Sequence, residues 1–368
     1  MYKKFFMGIA AMAALTLVSC SSDDLNSLSD NSSKNEAISF DGYLGRSAVA
    51  VNGTRGSELT KDKLIGEGKG FGVFGYYNSS ATDHNSASEQ PFAANLFNNE
   101  HVTCPKTGAD WTYSPLKYWP TQGHVDFLAY APYVNGKTLK ENSSSIDFAV
   151  SETIANQTDL LWANAENKTK DNLTENKVKF QFAHALSRLG YSVKLKEASY
   201  ESVATITLNK ITLAGSKNQT QNAFYKEGTI DLATGNWSTS SSTNPNYNDT
   251  KRNFEWFNNE TSGEKLSYKK AFGNSDNEYL FVIPQNFSKT EPNSDQLYVI
   301  VEYTIQYSGG TAQPKVSYKV CKQLTNNFEQ SKAYTINLTI GLTPIDFNAD
   351  VTAWGDASDS NYDIDSWK

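Results

Sequence analysis

The chain has 368 residues, a formal net charge of −7, 20 Tyr, 19 Phe and only three Cys. An acidic chain without a Lys/Arg cluster is a poor nucleic-acid binder, because phosphate contacts need concentrated positive charge. Three cysteines with no C-x-x-C pair exclude a zinc-ribbon or disulfide scaffold, and the length allows two domains of ordinary size.

Residues 1–19 read as an export leader. Lys3 and Lys4 supply the positive start, and residues 5–18 form an apolar run shorter than a spanning helix needs. Leu17-Val18-Ser19-Cys20 ends that run as a lipobox, with Cys20 the thiol that receives lipid. Cleavage there removes two lysines and makes the rest more acidic. Residues 20–36, rich in Ser, Asn and Asp, read as a flexible tether.

The first folded element expected is a strand over residues 37–44, with Ile38, Phe40 and Tyr43 its large apolar members. Further strands are expected over 70–77, 125–131 and 146–150, separated by polar loops over 78–90 and 135–145. Short helices are candidates over 57–64 and around Leu96. The glycines at 66, 68, 70 and 72 lead into an apolar run, not into a helix, and so predict a turn entering a strand rather than a phosphate loop. A domain boundary is placed near 180–185, giving an N-terminal domain over 37–184 and a C-terminal domain over 185–368.

The second half carries the clearest alternation. Leu297, Val299, Val301, Tyr303 and Ile305 share one face; Val316, Tyr318 and Val320 share another, beyond the turn at Ser308-Gly309-Gly310. Tyr334, Ile336, Leu338 and Ile340 alternate with Thr335, Asn337 and Thr339, and Ala204, Ile206 and Leu208 do the same with Thr205, Thr207 and Asn209. Period two with one polar face predicts antiparallel strands over a core, and two such sheets make a sandwich.

Chemistry is sparse. His84, His101, His124 and His184 lack metal-ligand spacing, and His184, inside an apolar run, is expected buried and hydrogen-bonded to backbone. Asp356, Asp359, Asp363 and Asp365 read as a solvated tail, without the order of a calcium loop. No catalytic residue, metal site or cofactor is expected; no G-x-S-x-G elbow occurs. Trp111, Trp119, Trp237 and Trp256 are candidates for stacking on sugars, and pairing of Cys104 with Cys321 is left open.

Several segments in order resemble the fimbrillin family of Gram-negative anaerobes. They are the lipobox at Cys20, Ile38-Ser39-Phe40, Thr54-Arg55-Gly56, Phe71-Gly72-Val73-Phe74-Gly75-Tyr76, Tyr118-Trp119-Pro120 and Val125-Asp126-Phe127-Leu128-Ala129-Tyr130-Ala131-Pro132. Asp159-Leu160-Leu161-Trp162-Ala163, Phe182-Ala183-His184-Ala185-Leu186-Ser187-Arg188-Leu189, Phe281-Val282-Ile283-Pro284-Gln285 and Val351-Thr352-Ala353-Trp354 follow. The resemblance implies an all-β fold of two transthyretin-like antiparallel β-sandwich domains in tandem. It also implies a subunit exported as a lipoprotein to the outer membrane and trimmed by an Arg-specific protease, here after Arg55 with Arg46 the runner-up. The first strand then leaves, and a neighbour's strand fills the groove. The donor is expected from the C-terminal region, from Tyr334 onward, through Tyr334, Ile336, Leu338 and Ile340.

The partners so implied are other fimbrial subunits, the protease, the outer-membrane lipid and a host protein or glycan. Two rivals stand beside this reading: a glycan-binding surface lipoprotein that does not polymerise, and a secreted hydrolase whose triad only folding would assemble.

Overall fold

A chain rich in Tyr, Phe and Thr suits pleated sheets, and the computed structural model is almost wholly β. It describes residues 36–43, 59, 61–79, 92–240, 246–274, 278–288, 295–309, 314–344 and 347–353. These residues from 36 onward form one compact unit.

In the first half, β2 (Phe71–Asn78), β3 (Phe97–Val102), β4 (His124–Ala131), β6 (Leu161–Lys168) and β8 (Ala183–His184) make an antiparallel sheet in the order β3-β2-β4-β6-β8. Every residue of β4 is buried, because the sheet is covered on both faces. Phe71, Val73, Phe127 and Ala129 enter one core, whereas Phe74, Leu128 and Tyr130 enter another. A strand covered on two sides reads as a continuous apolar run, which is how 127–131 reads in the sequence. On the first face lie β1 (Phe40–Tyr43) and β7 (Val178–Gln181), paired in parallel.

The second half has two larger sheets. In one, β9 (Ser187–Leu195) lies between β17 (Phe272–Gly273) and β23 (Ala333–Ile340), with β24 (Asn348–Ala353) beyond β23 and β18 (Leu280–Val282) also on β9. In the other, β10 (Ala204–Ala214) lies between β15 (Phe254–Asn258) and β20 (Leu297–Tyr307), with β21 (Val316–Leu324) outside β20 and β16 (Glu264–Lys265) on β10.

The alternation expected on β20 holds: Leu297, Val299, Val301, Tyr303 and Ile305 are all buried. On β21 it fails. Only Val320 and Leu324 are buried and Val316 is 38% exposed, because β21 is an edge strand that overhangs the core.

The chain changes sheets across Ala185 and Leu186, where the boundary was expected, and both are fully buried. The halves are sewn together near that point. β12 (Glu227–Asp231) sits between β13 (Trp237–Ser238) and β5 (Ser145–Ala149), so one small sheet draws on both halves. Asn164 Nδ2 donates to Ala233 O at 2.5 Å, and Trp237 Nε1 donates to Ala185 O at 2.8 Å. The pairs β11 (Phe224–Tyr225) with β14 (Lys251–Arg252) and β19 (Gln285–Asn286) with β22 (Asn327–Phe328) close the ends. The helix candidate at 57–64 survives as a single turn, Lys61–Leu64. The one at Leu96 does not: Leu96 leads directly into β3, its N–H donating to Gly75 O.

Tyr130, on β4, is 1% exposed, with its hydroxyl 2.7 Å from Asn99 Oδ1 and 3.0 Å from Val134 O. Burial pushes its pKa up to about 12. An unfolded Tyr130 deprotonates near pH 10, so its contribution is intact below that and is lost as pH climbs to 12. The expected loss over that window is about 2–3 kcal/mol. Urea midpoints measured from pH 9 to 12 will show a slope shallower by about one proton in Tyr130→Phe.

Candidate assembly groove

The elements that bear on assembly are β1, its bed, and the last two strands. Along 37–43 the inward positions are Ile38, Phe40 and Gly42. Ile38 and Phe40 are each 1% exposed. Phe40 stands in an aromatic nest, its ring 5.3 Å from Phe97, 5.4 Å from Tyr113, 5.5 Å from Phe127 and 5.7 Å from Phe180. A Cβ at Gly42 would meet Phe71 Cε1 at 3.0 Å and Trp111 at 3.6 Å, so the backbone lies directly against those rings. Period two therefore makes Gly42 the third inward position, while Tyr43 stands opposite Gln181 in the ladder. Burial of Phe40 and Ile38 contributes about 1.5–3 kcal/mol each.

The two edges of this segment are held unequally. On one, the ladder runs Phe40–Val178, Asp41–Lys179, Gly42–Phe180 and Tyr43–Gln181, and Val178 N donates to Ser39 O at 2.8 Å. On the other, a single bridge joins Ala37 to Tyr118 through Ile38 N to Lys117 O (2.8 Å) and Trp119 N to Glu36 O (3.0 Å). Tyr113 finishes this edge, its hydroxyl donating to Ile38 O at 2.8 Å. Burial raises the Tyr113 pKa, which keeps that donor protonated. Leu116 and Tyr118, beside the bridge, are 57% and 50% exposed.

Downstream, Leu59 N donates to Asp159 Oδ2 at 3.0 Å. The same oxygen lies 2.7 Å from His184 Nδ1, and both side chains are at most 1% exposed. His184 is thus buried as expected, and its ring is partnered by the Asp159 carboxylate. Its own carbonyl accepts from Ser331 Oγ at 2.5 Å, tying β8 to the turn before β23. The Asp159–His184 pair therefore joins three distant stretches of chain.

At the other end, Tyr334, Ile336, Leu338 and Ile340 all lie buried on β23. That strand is hydrogen-bonded on both edges, in parallel to β9 and antiparallel to β24. Within the described residues β24 pairs with β23 alone, which makes it the outer strand of the sheet.

Cys20, Arg46 and Arg55 lie outside the described residues, as do His84 and the acidic positions 356–365. Trp111 and Trp119 are core residues around the groove, and Trp237 is half-buried and hydrogen-bonded. Cys104 is buried, with Sγ 3.2 Å from Lys106 O, and Cys321 is exposed on β21; both are free thiols. Gly70 is at φ +129°, and a Cβ there would lie 2.1 Å from Val102 O, so the glycine run is the strand-entering turn. Among the described residues no group of three or more His, Cys, Asp or Glu is placed to hold a metal ion, and no helix is long and apolar enough to cross a membrane.

The sequence left Tyr113, Asp159 and the ring set Phe97, Phe127 and Phe180 unmarked as parts of this site. Asp159 was visible only inside the Asp-Leu-Leu-Trp-Ala stretch, and nothing local points Tyr113 at Ile38, 75 residues away.

Among solved structures, a fimbrial protein from Bacteroides vulgatus ATCC 8482 is 20% identical with a TM-score of 0.60, covering 87% of this chain and 99% of that one. A protein assigned to cell adhesion from Bacteroides uniformis ATCC 8492 is 16% identical with a TM-score of 0.47, over 87% and 98%. A fimbrial assembly protein from Parabacteroides distasonis ATCC 8503 is 11% identical with a TM-score of 0.36, over 86% and 99%. The first of these shows a shared fold. No curated protein matches the sequence. The profile of the family described as fimbrillin-like matches residues 54–354, a stretch that begins after β1. Matched over most of its length, the chain belongs to the fimbrillin-like family.

Proposed function

We propose that this protein is a fimbrial structural subunit of the cell surface, exported as a lipoprotein modified at Cys20 and trimmed after Arg55, with Arg46 the runner-up. It polymerises by donor-strand exchange to serve adhesion, without enzymatic activity. Its lobes are 37–184 and 185–368, and its partners are other fimbrial subunits, an Arg-specific protease, the outer-membrane lipid and a host protein or glycan. The observation that supports this most is the attachment of β1: a ladder to β7 on one edge, one bridge on the other, and Ile38 and Phe40 seated in an apolar bed.

Removing such a strand leaves unpaired N–H and C=O groups along β7 and an open aromatic trough. An incoming strand with a large apolar residue at alternate positions repairs both at once, which is β-augmentation. Contacts that run head to tail without closing a ring build a fibre. The donor stretch from Tyr334 onward starts on β23, which cannot leave without breaking two ladders. We therefore place the donor at β24, the edge strand, whose release breaks one.

Treating purified precursor with an Arg-specific protease is expected to yield a new N-terminus at Gly56, and Arg55→Ala to abolish it. The cut product then forms ladders that survive mild SDS. No cut between Gly45 and Glu58, or a cut product that stays monomeric, refutes the polymerising role. A non-polymerising glycan binder would give that second result and bind a glycan array.

A further inference from the structure

Two places hold most of the large apolar side chains that stay exposed among the described residues. One is the start of the groove. Leu116 and Tyr118, 57% and 50% exposed, flank Lys117, whose carbonyl accepts from Ile38 N, so both stand where β1 enters. The other is at the end of the antiparallel pair β20–β21, where Tyr307 and Val316 are 39% and 38% exposed. Val316 stands opposite Ile305 in that ladder, and Tyr307 follows Ile305 by two residues. Tyr307 and Val316 are therefore diagonal neighbours on one face. Val203, 46% exposed, joins them: its carbonyl accepts from Ser308 N, and the next residue, Ala204, stands opposite Tyr307.

This second patch is tied to the proposed donor. β23 ends at Ile340, and the Tyr307 hydroxyl lies 3.5 Å from Leu342 O. Residues 341–347 then lead to β24, which starts at Asn348. Seven residues of extended chain reach at most about 25 Å, so a β24 seated in a neighbour holds its own patch close to that neighbour's groove. The direction of seating selects the end. β1 pairs with β7 in parallel, and a donor that restores this ladder in the same sense starts where β1 starts, beside Leu116 and Tyr118. The tether arrives there, with the patch behind it.

We infer that the Val203, Tyr307 and Val316 surface of one copy packs on Leu116 and Tyr118 of the next, as a second contact beside the inserted strand. The occupant is a second copy of this chain, because the donor that brings the patch there belongs to one; the contact rests on the polymerising role proposed above. Five large apolar side chains, each more than a third exposed in the single molecule, leave water together. Strand exchange alone would let two copies swivel about the tether. The apolar contact fixes their angle, which a regular fibre requires. The overhang of β21 thereby gains a use, since the side chain it withholds from its own core faces the neighbour.

Full-length protein is treated with an Arg-specific protease, and ladder growth is followed by light scattering and mild-SDS gels. Leu116→Lys alone and Val316→Glu alone are each expected to assemble about tenfold more slowly than native protein. Their melting temperatures before trimming stay within about 2 °C of native, since both side chains are exposed. Mixing the two variants is expected to restore about half the native rate or more. Each introduced charge then meets its opposite at alternate junctions, and the junctions between are native. If native protein forms ladders and both variants match its rate, the patches serve another partner, and the inference is overturned while the polymerising role stands. If the variants are slow and their mixture stays slow, the two surfaces do not meet, which overturns it equally. If native protein forms no ladders, the polymerising role fails and this contact fails with it.

Discussion

Phe40→Ala will lower the unfolding free energy of the untrimmed protein by about 3–5 kcal/mol, the cost of truncating a fully buried aromatic ring and leaving a void. The four rings around Phe40 lie on β3, β4, β7 and the loop that carries Tyr113, so no single neighbour can move in to fill the space. Chemical denaturation followed by tryptophan fluorescence reads this directly, because Trp111 and Trp119 belong to the same core. Asp41→Ala, in the same strand but outside that core, will change stability by less than about 0.5 kcal/mol. After a cut behind Arg55 the position no longer exists in the folded part. Trimmed variant and trimmed native protein will therefore have the same midpoint. A difference that persists after trimming would mean that β1 stays bound as a nicked fragment, and a detachable plug would then be the wrong description.

The legible part of this protein was its strands. β20, β23 and the first half of β10 were readable because one face of each is apolar and the other meets water or turn residues, and period two survives when only one side is buried. β4 was readable for the opposite reason: eight consecutive buried residues leave no alternation, and from Phe127 to Ala131 they are an unbroken apolar run. β3 was hidden, because Phe97-Asn98-Asn99-Glu100-His101-Val102 carries apolar residues only at its ends. β21 shows the converse failure, since its pattern promised a buried face that an edge position does not supply.

The site was less legible than the fold. Ile38 and Phe40 stood out as large apolar residues, but Gly42 has no side chain to notice. Its role is to let Phe71 and Trp111 approach the backbone, and both are distant in sequence. Parallel pairing of β1 with β7 joins residues more than 130 positions apart, and no local signal encodes such a partner. Burial of His184 was legible in its apolar neighbours. The hydrogen bond to Asp159 depends on where β6 and β8 meet, and only folding brings them together.

That pair carries the second large effect. Asp159→Ala removes at one stroke the acceptor of His184 Nδ1 and of Leu59 N, in a site with no more than 1% exposure. Breaking a buried pair by deleting one partner is expected to cost about 3–5 kcal/mol. Asp159→Asn keeps an oxygen in place and will cost less, about 1–3 kcal/mol. Leu59 lies four residues beyond Arg55, so the same substitution unlatches the chain next to the proposed cut. Two readings distinguish this from general destabilisation. Hydrogen exchange at the Leu59 amide will accelerate under native conditions, where Phe40→Ala leaves it slow. Trimming by an Arg-specific protease will also be faster in Asp159→Ala than in Phe40→Ala, although the two lose similar stability. Because Asp159, His184 and Leu59 all remain after a cut behind Arg55, the cost of Asp159→Ala will carry over into trimmed material. A cost that disappeared on trimming would show that Asp159 serves to hold the leaving strand, and not the body that the strand leaves behind.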